Sequence, residues 1–461
     1  MKNHPTFIIH ATVLSTLLII TGCAPLPLAR TTRTAEVPLQ QRWWTSYHDE
    51  QLNQLIDQAT SNAPDMQRAQ ARLQQVQAIQ GVTDSAELPQ AQANISLTKQ
   101  QQSNNYLFPK TMIPQGWNGY GNASVQFGWA FDFWGKNKAA IAAATNDVLA
   151  SQAESAHAQL TLAASVAQQY VELTRLYAAL KIAQQHITNQ VHLNNLLLAR
   201  VKQGIDLQTV VNDAQSQLLQ QRLEVQSLET QIETTKVKLM TLSGRPPMDA
   251  SSLHQPTLSL NAKHTKTNKI SLNTLGKRPD IVAAKMQVEA QLRRVDQKKA
   301  EFYPDVNLSG FVGFQSFGTG RLLNNDSMVG AVGPALSVPL FTAGRLKNEL
   351  RYSEAKYDEA VALYDKVLLQ SLEEVSTTDL NARSVEDQKK LLEALVSERQ
   401  SAWQITSKRN QAGLVSEIEL TQSYEVLLNS QKQLSDMQSK AISLDIQLQQ
   451  ALGGGYEAPM P

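Results

Sequence analysis

The chain has 461 residues, 42 Lys plus Arg against 41 Asp plus Glu, and a formal net charge of +1. So even a balance, with no basic stripe, excludes the electrostatic footprint of a nucleic-acid binder. The single cysteine excludes a disulfide framework and a cysteine zinc site. No Walker loop, GxGxxG, HExxH or GxSxG stands in a context that would support an enzyme. The eight histidines are scattered, and His186 and His192 are six positions apart, so they read as surface groups rather than metal ligands. Length alone would suit two or three ordinary domains. With 6% aromatic and 18% charged residues, the composition favours long helices with small-residue seams over a bulky core.

The N-terminus is an address. Lys2 opens a short polar stretch, Phe7 to Ile20 is largely apolar, and Thr21-Gly22-Cys23 follows. That apolar run has the length of a signal-peptide core and is short for a mature membrane span. Ile20-Thr21-Gly22-Cys23 resembles a bacterial lipobox, so cleavage would leave Cys23 as a first residue carrying diacylglycerol and an N-acyl chain. A plain signal peptide with an incidental cysteine is the alternative. Ala24 after the cysteine, by resemblance to sorted lipoproteins, implies the outer membrane. Pro25 to Leu39 reads as an extended tether.

The rest is one unit written twice. Asn62-Ala63-Pro64-Asp65 answers Lys277-Arg278-Pro279-Asp280 at an offset of 215, which also maps Pro89 onto Pro304. Trp134-Gly135-Lys136 answers Ala343-Gly344-Arg345 at 209, and the same offset maps Gly204 onto Gly413 and Ser243-Gly244 onto Leu452-Gly453. Landmarks kept in order with one slip identify a duplication. Each unit opens with a helix from Pro64 or Pro279, running to about Ala86 or Phe302. Two alternating segments follow. Ala91, Ala93, Ile95 and Leu97 share one face, then Val125, Phe127, Trp129, Phe131 and Phe133. In the second unit Val306, Leu308, Val312 and Phe314 alternate, then Val332, Leu336, Val338 and Leu340. Period two with one apolar face predicts strands of membrane-spanning length.

Long runs without proline come next, Lys136 to Gln203 and Arg345 to Ala412, each 68 residues and so about 100 Å as helix. After Gly204 or Gly413 a return helix runs from Ile205 to Ser243 or from Leu414 to Leu452. The first return helix carries a heptad seam at Leu207, Val211, Ala214, Leu218, Val225, Leu228, Ile232, Leu239 and Leu242, interrupted by Gln221 and Thr235. The second keeps the register at Leu420, Leu427, Leu434, Met437, Ala441, Leu444 and Leu448. An isolated soluble coiled coil would explain the seam but not the paired strands.

Four strands cannot close a barrel alone, and an open edge in lipid leaves backbone groups unsatisfied. Two copies would give eight strands and a packed lumen, and three would give twelve and a pore. Here the sequence resembles the TolC-like outer membrane factors, in particular the lipoprotein subgroup that serves resistance-nodulation-division efflux pumps. The resemblance rests on Arg42-Trp43-Trp44 with Leu52-Asn53-Gln54-Leu55-Ile56, on Arg278-Pro279-Asp280-Ile281 with Ala283-Ala284, and on Phe133-Trp134-Gly135-Lys136. Pro339 through Arg345 and Leu452 through Tyr456 complete it. Lys285 in place of a usual acid, Glu50 in place of a proline and Ala343 in place of a glycine depart from the pattern.

The resemblance implies a mainly α protein with a transmembrane β-barrel portion. Four strands and long coiled-coil helices per protomer would join in a homotrimer, whose twelve-stranded barrel continues into a periplasmic α-helical barrel. Residues 1–22 would be the signal peptide and 23–50 the lipidated tether and first equatorial segment. The first repeat would fill 51–244, a linker and equatorial segment 245–270, the second repeat 271–453, and a tail 454–461. The partners implied are a periplasmic adaptor, an inner-membrane pump that supplies the energy, and outer-membrane lipid. There would be no cofactor, no nucleic acid and no enzymatic activity.

In similar proteins the hairpin tips meet the adaptor. This marks Val201, Gln203, Gly204 and Ile205, with Gln411, Ala412, Gly413 and Leu414. The glycines also have a plain reading as helix ends. In relatives the inner coiled coil of the second repeat closes the periplasmic end, often with acidic rings. That marks Glu417 and Glu419, with Gln422 where an Asp is favoured, while the first repeat keeps Asp213. A solvated helix face is the alternative. Beyond the efflux duct, a periplasmic coiled-coil scaffold lipoprotein without a pore, a type I secretion duct and a tethered peptidoglycan hydrolase remain to be separated.

Overall fold

The structure, a computed structural model, describes residues 42–103, 105, 109–260 and 276–457. The lipobox, Cys23 and most of the tether lie outside the described residues. A short 3-10 turn, Trp43–Tyr47, leads into α1 (Glu50–Asn62) and α2 (Pro64–Asp84), then β1 (Gln90–Gln101) and β2 (Trp117–Phe131). α3 (Lys136–Lys202) and α4 (Gln208–Leu242) form the first long hairpin. The second unit repeats the plan with α5 (Pro279–Ala300), β3 (Asp305–Phe317), β4 (Met328–Ser337), α6 (Arg345–Gln411) and α7 (Glu417–Ala451).

The repeat is legible in the caps. Pro64 and Pro279 sit at the first helical position, where proline's missing N–H costs nothing, and Asp65 and Asp280 face the positive helix end. Gly135 (φ 77°) and Gly344 (φ 85°) start the two 67-residue helices from the left-handed region. Ala343 also takes a left-handed φ, 48°, where the family pattern has glycine. That conformation costs an L-residue roughly 1–2 kcal/mol.

The four strands make one antiparallel sheet in the order β1-β2-β3-β4. Its register sets Ile95 opposite Ala123, Val125 opposite Val312, Trp129 opposite Leu308, and Val306 opposite Leu336. These residues share one face, and Ile95, Val125, Trp129, Val312 and Leu336 are exposed on it. The predicted alternation is correct, but it overshoots: Phe133 follows the end of β2, and Val338 and Leu340 follow the end of β4. The apolar pattern serves the membrane boundary as well as the ladder, so it outlasts the backbone pairing. Among the described residues the outer edges of β1 and β4 have no partner strand.

Among the helices α3 is the hub, packing on α1, α2, α4, α5 and α7. Ala150, Ala153, Ala163 and Ala167 are fully buried along it, and such small residues allow close helix approach. α6 has the same length but, among the described residues, packs closely on α5 and α7 and on no other helix to a comparable extent. It buries only Leu346, Ser353, Ser371, Val375, Thr378 and Val385, and leaves Leu363, Leu369, Leu380 and Leu391 more than half exposed.

α1 is a helix that the sequence reading leaves inside the boundary between tether and first repeat. Asp49 caps it by accepting from Leu52 N at 3.0 Å, and Leu52, Leu55, Ile56 and Ala59 are buried. The heptad seam of α4 is largely buried, yet Leu207 is 75% exposed because the helix starts one residue later.

Candidate functional site

The two hairpins turn far from the sheet in the same way. At the first tip Gly204 (φ 74°) donates to Val201 O at 2.9 Å and Ile205 N donates to Arg200 O at 2.9 Å. At the second, Gly413 (φ 72°) donates to Asn410 O and Leu414 N to Arg409 O, both at 2.9 Å. This pair of bonds is the Schellman motif, which satisfies the last carbonyls of a helix. The predicted tip residues are thus brought together in two equivalent turns. Val201 is the last residue but one of α3 and Gln411 closes α6, Gln203 and Ala412 are the C-caps, and Ile205 (56%) and Leu414 (69%) project as exposed apolar groups.

The tips differ in charge. Arg200 forks onto Asp206 at 2.6 and 3.1 Å, and this hydrogen bond holds the Asp206 carboxyl below its ordinary value. Val415 stands where Asp206 would be in the second tip, and there Asn410 Nδ2 donates to Val415 O at 3.1 Å instead.

Glu417 and Glu419 both lie in the first turn of α7, favourably placed at the positive helix end. Ser416 caps that helix by accepting from Glu419 N at 3.2 Å. Glu417 reaches His192 on α3 at 2.7 Å, whereas Glu419 and Gln422 are exposed.

That contact is the first rung of a polar ladder between antiparallel α3 and α7. Glu425 meets His186 Nδ1 at 2.6 Å and accepts from Asn189 at 3.1 Å, and Asn189 also donates to Thr421 O at 3.0 Å. Farther along, Arg175 joins Asp436 at 3.2 Å and Glu172 at 2.6 Å. His186 is only 4% exposed, which corrects its reading as a surface group; sequence spacing cannot reveal a partner 239 residues away. Burial alone would raise the Glu425 carboxyl. The hydrogen bond and charge of His186, with Asn189, outweigh it and hold the group below the ordinary carboxylate range.

At the base of the hairpins Arg278 is buried and holds three elements. It donates to Ala451 O at 2.7 Å and pairs with Asp280 at 2.8 Å and Glu374 at 2.9 Å. Nearby, Asp49 accepts from Tyr170 Oη at 2.8 Å and from both Thr257 N and Oγ1, so the N-terminal segment is stitched to α3. Burial, and then the hydrogen bond to Asp49, push the Tyr170 hydroxyl up, so it stays a donor.

Trp129 donates to Glu87 O at 2.9 Å, and Trp134 stacks on Tyr303 at 4.9 Å, beside exposed Phe131 and Phe133. These aromatics gather where strands meet helices, as an interfacial belt requires. Among the described residues no helix is long and apolar enough to cross a membrane and no acidic, histidine or cysteine cluster suits a metal.

The sequence profile of the family described as "Outer membrane efflux protein" matches residues 55–245 and 271–454, one segment per repeat. The fusaric acid resistance protein FusA of Burkholderia cepacia is 34% identical over 319 residues, 68% of this chain and 59% of FusA. The putative multidrug resistance outer membrane protein MdtQ of Escherichia coli K12 is 27% identical over 478 residues, 96% of this chain and 97% of its own. The crystal structure of the outer membrane protein VceC of Vibrio cholerae superposes with a TM-score of 0.81 at 35% identity, over 90% of this chain and 99% of VceC. The fold is therefore that of the outer membrane efflux channels, mainly α with a transmembrane β portion, and the activity is transport rather than catalysis. The chain belongs to the outer membrane efflux protein family.

Proposed function

We propose that the protein is the exit duct of a tripartite efflux system, conducting drugs or other small solutes passively from an inner-membrane pump and a periplasmic adaptor to the exterior. The observation that carries this reading is the incompleteness of the lone chain. β1 and β4 present unpaired edges on a sheet with an apolar outer face, which lipid does not tolerate. α6 lacks on its exposed flank the counterparts of the neighbours that α5 and α7 give to α3. Three copies meet both needs, closing twelve strands into a barrel and the helices into a tube below it. Relatives named for fusaric acid resistance and for multidrug resistance fit a solute duct better than a protein secretion duct.

Within that duct Cys23 carries the lipid anchor in the outer membrane. The tips at Val201, Gln203, Gly204 and Ile205, and at Gln411, Ala412, Gly413 and Leu414, receive the adaptor with exposed apolar groups. Glu417, Glu419 and Gln422 stand at the narrow end, and sliding α7 along α3 opens it by breaking the polar ladder. Three exposed Glu419 carboxylates would favour cations there. Planar-bilayer recording tests this: the wild type gives discrete, cation-preferring conductance, and Glu419→Ala reduces the preference. Absence of any conductance would remove the duct, and an unchanged preference would remove the gate assignment. A deletion strain sensitised to drugs would separate this reading from a pore-free scaffold.

A further inference from the structure

The sheet face opposite the apolar one bears polar, uncharged side chains over most of its length, among them Gln92, Asn94, Asn122, Gln126 and Gln315. Its only charged strand residue is Asp305, at the helix end, tied to Lys136 at 3.4 Å. At the opposite end, beside the strand-connecting loops, Tyr120 pairs directly with Phe317 across β2 and β3. Their rings lie 4.6 Å apart, tilted by 64°. The Tyr120 hydroxyl is enclosed and finds no partner among the described residues, so that position uses the ring rather than the hydroxyl. Phe317 is 45% exposed, on the face that Phe127 and Trp129 do not share. Those two have lipid to meet; Phe317 has only the aqueous lumen.

We propose that Phe317, backed by Tyr120, forms an aromatic collar at the outer mouth of the barrel that binds planar aromatic solutes in transit. This rests on the trimeric duct proposed above. Twelve strands about 4.8 Å apart and tilted about 40° enclose a backbone diameter of about 24 Å. Three collar pairs project into that opening, and aromatic rings recognise flat π surfaces by stacked or edge contacts. With no charged strand residue on the lumen face at this level, the collar sorts cargo by aromaticity and not by charge.

Full-length protein in planar bilayers tests this, with naphthalene-2-sulfonate and its saturated counterpart decahydronaphthalene-2-sulfonate added on the loop side. The wild type should hold the aromatic probe about two- to tenfold longer per blocking event than the saturated one, the span of a single aromatic contact. Phe317→Leu should abolish that ratio with unit conductance retained, while Phe317→Tyr and Tyr120→Phe should keep it. Equal dwell times in the wild type, or a ratio that survives Phe317→Leu, would overturn the collar and leave the duct standing. A protein with no conductance would overturn the duct, and the collar with it.

Discussion

Arg278 is a buried side chain that holds three helices together. Its counterpart in the first repeat is Ala63, so the second repeat alone uses a buried cation to tie α5, the end of α7 and α6 together. Removing it strands Asp280 and Glu374, whose side chains are 22% and 45% exposed. A fully buried broken pair costs about 3–5 kcal/mol, and solvent at Glu374 reduces this. Arg278→Ala should therefore destabilise the protein by about 2–3 kcal/mol, seen as a lower thermal midpoint. Arg278→Lys should recover only part, because an ammonium cannot fork to two carboxylates and a carbonyl. An unchanged midpoint would contradict this role. The Arg278-Pro279-Asp280 motif is plain in the sequence, but Glu374 is 96 positions away and nothing local announces it. The same holds for His186 and Glu425. Residue chemistry in this protein is long-range, and only the helix-start residues speak for themselves.

At the level of elements, four helix ends use the Schellman turn, and their glycines fall into two classes. A Cβ on Gly204 or Gly413 would meet nothing within 4 Å, whereas on Gly244 it would meet the backbone of Asn62 and Ala63 at 3.0 Å. Gly204→Ala and Gly413→Ala should cost about 1–2 kcal/mol, the left-handed penalty alone. Gly244→Ala should cost more, and thermal midpoints of the three variants give the order. The ladder between α3 and α7 adds a pH dependence. Glu425 titrates below its ordinary value of 4.5 in the folded state. Its stabilisation is complete well above that value and is lost as pH falls through the lower, folded one. Glu425→Gln should lower the midpoint at pH 7, and the difference from wild type should shrink away as pH falls through the lowered, folded value. A difference that persisted in acid would show that the pairing is not electrostatic. The element plan itself was legible, since proline, glycine and the change of period from two to three and a half punctuate it. Strand ends were not, because Phe133 and Leu340 prolong the alternation for the membrane boundary. α1 escaped because its apolar set is short and lies beside the tether.

For the whole molecule, the repeat carries more than the fold. α3 bonds to α7 through Arg175 and Asp436, and the repeat offset of 209 positions carries that pair onto Ser384 of α6 and Ser227 of α4. Both serines are exposed within one chain, and α6 does not pack on α4 there. In the proposed duct the flank of α6 and the flank of α4 would be the two halves of a contact between copies, the same contact that α3 and α7 make inside one. A heterologous contact of this kind closes into a ring when its rotation permits. Neither composition nor periodicity gives the number of copies, because that number lives in an angle between helices. The direct measurement is cross-linking of the Ser227→Cys, Ser384→Cys variant in outer membranes with a short bis-maleimide. A three-copy duct predicts covalent dimers and trimers with nothing larger, and neither single variant should give the trimer. Monomers alone, or a ladder that continues past three, would contradict it.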